Sequence, residues 1–304
     1  MNCTPRWLDN LRDDWRKSSV LENRKDYFRY LLLGARPTLR FRGGFSVPGE
    51  VADLHRIKRL VALAYFGADL TSDSTRLGRD WFVDLPKKLI VTPSGIRFDL
   101  DSVNPVIFAE TFIHDVHFQG YDLRERIVID VGANVGDTAL YYASRGARVM
   151  AYEPDPENYR RLEQNLALNP QYAPRIIPHR VAVGERGEVT FHAGLGGASG
   201  LHATGGQTIR LPSRSLADLI NEIEPARAYL LKADCKGCEE TLVTQAELAQ
   251  FDHVRIEYDR ARPSPYPESL EAALRSHGFQ WIRRFKHNCG EYTLNTKGII
   301  VASH

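Results

Sequence analysis

The densest chemistry in this chain lies in Ile127-Val128-Ile129-Asp130-Val131-Gly132-Ala133-Asn134-Val135-Gly136-Asp137-Thr138. It reads as a buried strand, a glycine turn and the first turn of a helix. Gly132 permits a sharp bend without a Cβ clash, and Gly136 lets a ligand approach the backbone. About twenty residues on, Tyr152-Glu153-Pro154 ends the next apolar run, where the Glu153 carboxylate can accept both hydrogen bonds from a ribose diol. A second acidic group, Asp234-Cys235-Lys236-Gly237-Cys238-Glu239, follows the apolar run ending at Ala233. Glu257 closes a third run, Val254-Arg255-Ile256-Glu257-Tyr258.

The charges at the turn suggest which adenosine-containing ligand suits it. A dinucleotide site uses G-x-G-x-x-G and seats a pyrophosphate on the amides of a helix N-terminus. Here Asp130 precedes the first glycine and Asp137 stands where a third glycine belongs. Two carboxylates repel a pyrophosphate but attract the ammonium and sulfonium of S-adenosylmethionine. This argues against a nicotinamide oxidoreductase. The turn, comprising Asp130, Gly132, Ala133, Asn134, Gly136 and Asp137 with Glu153 and Pro154, is expected to bind that cofactor.

The elements that must position these groups alternate. Strands are predicted at residues 127–131, 148–152, 176–181, 229–233 and 254–258, separated by helices at 137–144, 156–168, 215–223 and 239–250. Short, apolar, β-branched strands alternating with helices indicate a parallel sheet covered on both faces. Residues 188–192 read as another short strand, the tail from 281 to 303 as two more, and 88–92 with 96–100 as a hairpin. Open α/β sheets place ligands at the carboxyl ends of their strands, where Asp130, Glu153, Asp234 and Glu257 fall. Val181 and Ala182, after the third strand, are expected to flank the adenine. Residues 6–33 and 50–66 look helical, and 71–75 reads as a linker. These features give an N-terminal helical lobe over residues 1–85 and an α/β domain over 86–304.

Val-Ile-Asp-Val-Gly-Ala-Asn-Val-Gly-Asp, Glu153-Pro154, Ala182-Val183-Gly184 and Leu231-Lys232-Ala233-Asp234-Cys235-Lys236-Gly237-Cys238-Glu239 occur in that order, and the set resembles the FkbM family of methyltransferases. The resemblance runs from about residue 107 to 301. It implies a Rossmann-like class I sheet, mostly parallel with seven strands, S-adenosyl-L-methionine as donor, and O-methylation of a hydroxyl on a small molecule or glycan. Lys236 departs from the family, which more often has Glu in D-x-E-G-x-E.

Methyl transfer is an in-line displacement, so a site must align the acceptor oxygen, exclude water and accept a proton. Asp234 is the first candidate for that base, Glu239 the second and Glu257 the third. Asp234 is also placed beside the cofactor. Asp234, Glu257 and Asp259 could converge on a Mg²⁺-like cation, although the resemblance to the family does not imply a metal. Cys235 and Cys238 form a C-x-x-C pair that a redox or zinc site would use, and packing is the favoured reading. The glycine-rich segment 194–206 reads either as a cover for the substrate or as a flexible connection.

Composition bounds the rest. The chain has 304 residues, a net charge of +2 and 43% hydrophobic residues, which suits a soluble globular protein. Four cysteines do not make a disulfide framework at this length. The chain opens without the apolar stretch of a secretory leader and has no apolar run long enough to span a bilayer, so a cytoplasmic protein without a membrane partner is expected. Thirteen Lys/Arg against seven Asp/Glu in the first sixty residues keep an RNA methyltransferase as the alternative, with Arg12, Arg16, Arg24 and Arg29 gripping phosphates. Lys232, Asp234 and Glu257 are loosely similar to the lysine and carboxylate set of ribose 2′-O-methyltransferases. The lobe is otherwise left to cap the acceptor site or to pair two copies as a homodimer. A binding module with a vestigial pocket would hold the cofactor yet turn nothing over.

Overall fold

The computed structural model describes residues 6–117, 120–201, 203–223, 226–259, 267–289 and 292–304. The chain divides into two compact units, Met1–His117 and Phe118–His304. The division falls beyond residue 85 because the hairpin at 88–100 is hydrogen-bonded into a sheet of the first unit.

The first unit opens with α1 (Arg6–Lys17) and α2 (Arg24–Leu33). They are separate helices, since a 3₁₀ turn at Ser18–Val20 and an extended Leu21 interrupt the path. Gly34, in the left-handed region, ends α2 by donating its N–H to the Tyr30 carbonyl. Next come the two-residue strands β1 (Leu39–Arg40) and β2 (Ser46–Val47), then α3 (Leu54–Tyr65), capped by the Asp53 side chain. A four-stranded sheet follows: β3 (Leu70–Thr71), β4 (Trp81–Asp84), β5 (Leu89–Val91) and β6 (Arg97–Asp99). The lobe is therefore mixed α/β rather than helical, and 71–75 is a strand end and a 3₁₀ turn rather than a linker. Strands of two to four residues are too short to print an alternating pattern on the sequence. After α4 (Pro105–Phe108) comes a π turn at Ala109–Ile113, and Phe98, Phe108 and Phe112 pack together.

The second unit holds the larger sheet. Its first three strands are β7 (Ile127–Val131), β8 (Arg148–Tyr152) and β9 (Ile176–His179), linked by α5 (Asp137–Ser144) and α6 (Pro156–Ala167). A small three-stranded sheet follows, of β10 (Ala182–Val183), β11 (Gly187–Ala193) and β12 (Gln207–Arg214). Then come α7 (Leu216–Ile223), β13 (Ala228–Ala233), α8 (Glu239–Leu242), β14 (His253–Asp259), α9 (Pro267–Ser276), β15 (Trp281–Cys289) and β16 (Tyr292–Ser303).

The large sheet runs β9-β8-β7-β13-β14-β16-β15, with the first five strands parallel and β16 antiparallel to both its neighbours. This is the mostly parallel, seven-stranded Rossmann-like order expected. Every residue of β7 is buried, as a central parallel strand requires. Chain order reverses between β7 and β13, which makes their carboxyl ends the switch point where such sheets bind ligands.

Two expected elements differ, and one strand is additional. The third strand stops at His179, and Ala182–Val183 joins the small sheet instead. The helix expected at 239–250 is one turn of α-helix followed by a 3₁₀ turn, Ala246–Gln250. β12 lies where no strand was expected, because Pro212 interrupts its sequence pattern.

Candidate active site

The turn after β7 is built by the end of β8. The Tyr152 carbonyl accepts hydrogen bonds from the Gly132 and Ala133 amides at 2.9 and 3.0 Å. Gly132 has φ +78°, and a Cβ there would overlap the Asp234 carbonyl oxygen. Gly136 has φ +87° and opens α5, and a Cβ there would press on Leu162. Between them Asn134 sits in the left-handed region at φ +50°. Its amide donates to Glu153 Oε2 at 2.7 Å, while the Asp155 amide donates to Glu153 Oε1 at 2.9 Å. Glu153 thus ties the glycine turn to the end of β8, and each oxygen keeps a second lone pair for a ribose hydroxyl. Pro154 follows, partly buried.

Asp130 plays a different part from the one its charge suggested. It is fully buried, pairs with Lys232 Nζ at 2.9 Å and accepts from Thr138 Oγ1 at 2.6 Å. Lys232 and Asp130 are register partners on β13 and β7, so the pair follows from strand alignment. Lys232 also donates to the Gly132 carbonyl at 2.7 Å. The attraction for a cation therefore rests on Asp137 and Glu153, because Lys232 already balances Asp130 and Lys236 balances Asp234. Asp137 is 2% exposed, and its Oδ1 has no hydrogen-bond partner among the described residues. Burial pushes its carboxyl up to about 7 and that of Glu153 up to about 8. A buried carboxylate oxygen without a partner fits the ammonium of S-adenosylmethionine.

These raised values set a pH dependence. Both acids are substantially protonated at about pH 6 and ionise as pH climbs through 7 and 8. A cationic ligand favours the ionised forms, so its affinity should rise with pH until its own amine deprotonates near 8. Titration calorimetry with S-adenosylmethionine should show roughly three- to tenfold tighter binding at about pH 7.5 than at about pH 6. Glu153→Gln should lose part of that gain. Affinity independent of pH would contradict this electrostatic account.

The second cluster follows β13. Ala233 and Ile256 are register partners, so Asp234, just past the end of β13, and Glu257, two residues before the end of β14, come side by side. Lys236, at φ +56°, turns its ammonium back to pair with both carboxylates. Burial raises the Asp234 carboxyl, the charge of Glu257 adds to that, and Lys236 opposes it. Lys236 itself lies above the ordinary lysine range, because the two acids outweigh the effect of burial. Glu239 uses both its oxygens on the backbone, accepting from the Cys235, Lys236 and Gly237 amides at 3.0, 3.0 and 2.8 Å. The Asp234 carbonyl meets Gly132, so the two clusters adjoin.

The remaining expected residues are placed as follows. The side chain of Val181 is in the main apolar core and that of Ala182 in the core of the small sheet. Asp259 ends β14, but its side chain lies outside the described residues. No group of three His, Cys, Asp or Glu among the described residues could hold a metal. Cys235 and Cys238 form a disulfide, which corrects the packing reading. Segment 194–200 is neither a free cover nor a loose connection. Asp155 Oδ2 accepts from the Gly194 amide and from Ser199 Oγ, each at 2.7 Å, while its Oδ1 caps α6. Gly200 then packs directly on the Lys236 backbone and Cβ. In the first unit, Arg16 pairs with Asp13, Arg29 pairs with Asp26, and Arg24 lies over Trp15.

Sequence reasoning named Lys232 only through a loose likeness to ribose 2′-O-methyltransferases and Lys236 only as a departure from the family, and gave neither a role in the site. The available signal for Lys232 was a cation inside an otherwise apolar strand, Leu230-Leu231-Lys232-Ala233. Such a residue requires a buried acid beside it.

Comparison with known proteins bears on this arrangement. A family model described as "Methyltransferase FkbM domain" matches residues 130–281. AMB antimetabolite synthetase AmbE of Pseudomonas aeruginosa is 32% identical over 179 residues, 56% of this chain and 8% of that protein. Methyltransferase sdnD of Sordaria araneosa is 26% identical over 200 residues, 51% of this chain and 74% of that protein. Hexuronic acid methyltransferase AglP of Haloferax volcanii is 29% identical over 120 residues, 38% of this chain and 48% of that protein. The chain thus spans a small part of AmbE and about half of AglP.

Proposed function

The chain belongs to the FkbM methyltransferase family, whose donor is S-adenosylmethionine, and we propose that it methylates a hydroxyl oxygen on a small molecule or glycan. The observation that carries this reading is the Asp234–Lys236–Glu257 cluster, set against the glycine turn through the Asp234 carbonyl. S-adenosylmethionine supplies a methyl group on a sulfonium, open to in-line attack by an oxygen.

The residues of this chain do the remaining work. The turn from Gly132 to Asp137, with Glu153, holds the nucleoside and ammonium. Asp234 accepts the proton that the acceptor hydroxyl loses as its C–O bond forms. Its raised carboxyl pKa makes it a better proton acceptor than an ordinary aspartate, while the charge of Lys236 opposes that rise. Lys236 has three N–H donors, and the two carboxylates use two of them. The third is available to the acceptor oxygen or its neighbour. Glu239 is a positioning residue, since it holds the amides on either side of Lys236. Glu257 shares Lys236 with Asp234 and so steadies its direction.

The relative named a hexuronic acid methyltransferase supports including sugars and uronic acids among acceptors. The test incubates the full chain with S-adenosylmethionine and four acceptor classes: neutral glycans, free uronic acids, hydroxylated small molecules and RNA. S-adenosylhomocysteine release and product mass spectrometry report the outcome. An oxygen-methylated glycan or small molecule is expected. Methylated RNA alone, or cofactor binding with no product in any class, would overturn the proposal.

A further inference from the structure

We infer that Cys235–Cys238 is a reversible redox site, taking a dithiol reductant, that controls the order of the acceptor loop. The inference rests on reading the loop after β13 as the acceptor side of the site. The bond joins two residues three apart, with Cα atoms 5.5 Å apart. The two residues it encloses are Lys236 and Gly237, at φ +56° and φ +135°. Lysine in the left-handed region is disfavoured by its Cβ, so something must hold it there. Three restraints do so: the disulfide, the Glu239 carboxylate on the loop amides, and the ion pairs to Asp234 and Glu257. Of these, only the disulfide is opened by a reductant.

The two sulfurs differ in access. Cys238 is 1% exposed and belongs to the apolar core, whereas Cys235 is partly exposed at its edge. A reductant thiolate can therefore attack Cys235 Sγ, forming a mixed disulfide and releasing Cys238 as a thiolate, which takes up a proton. The second thiol of the reductant then attacks its own bridged sulfur. This leaves Cys235 as a thiol and the reductant as a disulfide, so two electrons and two protons pass to the protein. The freed loop keeps its Glu239 hydrogen bonds but loses its covalent closure. Lys236 then samples positions away from the two carboxylates. The glycine turn, built from β7 and β8, keeps all its own hydrogen bonds. The effect should therefore fall on the acceptor and spare the cofactor.

The experiment uses the full chain prepared without reductant. Maleimide labelling under denaturing conditions, read by peptide mass spectrometry, should leave Cys235 and Cys238 unlabelled, and should label both after dithiothreitol. Hydrogen exchange of peptides covering residues 234–239, with S-adenosylhomocysteine bound, should quicken about three- to tenfold on reduction, while residues 127–136 stay unchanged. With an acceptor from the panel above, kcat/KM should fall by a similar factor and recover on reoxidation. Cys235→Ser should match the reduced chain and ignore dithiothreitol. Labelled Cys235 and Cys238 at the start, or equal exchange in both states, would overturn the inference. If no acceptor turns over while labelling and exchange behave as stated, the proposed acceptor fails and the redox site stands.

Discussion

Gly132→Ala should leave a chain that binds S-adenosylmethionine at least about 100-fold more weakly than the native protein. Two effects combine. The residue sits at φ +78°, which costs a non-glycine residue roughly 1–2 kcal/mol. The added methyl would also overlap the Asp234 carbonyl oxygen, part of a backbone that cannot swing aside like a side chain. Either the end of β13 moves or the glycine turn opens, and both displace groups proposed to hold the cofactor. A total near 3 kcal/mol corresponds to about two decades of affinity. Gly205→Ala is the matching control, since Gly205 has φ +94° with open space around it and lies on the exposed surface. Titration calorimetry on both variants, with circular dichroism to show that each folds, separates overlap from backbone preference. Near-native binding by a folded Gly132→Ala chain would remove the close approach from the account of the site.

The sheet was legible because β7, β8, β13 and β14 are long enough and apolar enough to announce themselves, and helices of ordinary length separate them. The glycine turn was legible for the same local reason: its residues are consecutive. What the sequence hides is register. Asp130 looks like a free carboxylate until β7 is set against β13, when Lys232 falls opposite it. Lys236 looks like a lone departure in a motif of acids until Glu257 arrives from the next strand. Glu239 reads in the sequence as a candidate base, but its three backbone donors favour an organising part. The lobe was misread because two-residue strands such as β1 and β3 carry no period, leaving only the helices visible. The disulfide was missed because C-x-x-C spacing fits packing, metal and redox roles alike.

Asp234→Asn is the substitution expected to separate chemistry from binding most clearly. The backbone of Asp234 meets the cofactor turn, but its side chain faces Lys236 and Glu257. An asparagine keeps the backbone and the shape, so S-adenosylmethionine affinity should stay within about threefold of native. It cannot take up the acceptor proton, and loss of a positioned base typically costs about 10²- to 10⁴-fold in rate. The native pH profile carries a second signature. Asp234 must be ionised to act, and its carboxyl is raised, so turnover should climb as pH rises through that raised value and then level. In the asparagine variant the residual rate should lose this limb. Glu239→Gln provides the contrast, because its effect passes through loop order. It should raise acceptor KM and keep the limb. Full turnover in Asp234→Asn, or an unchanged acid limb, would move the base to Glu257, the other carboxylate that Lys236 holds.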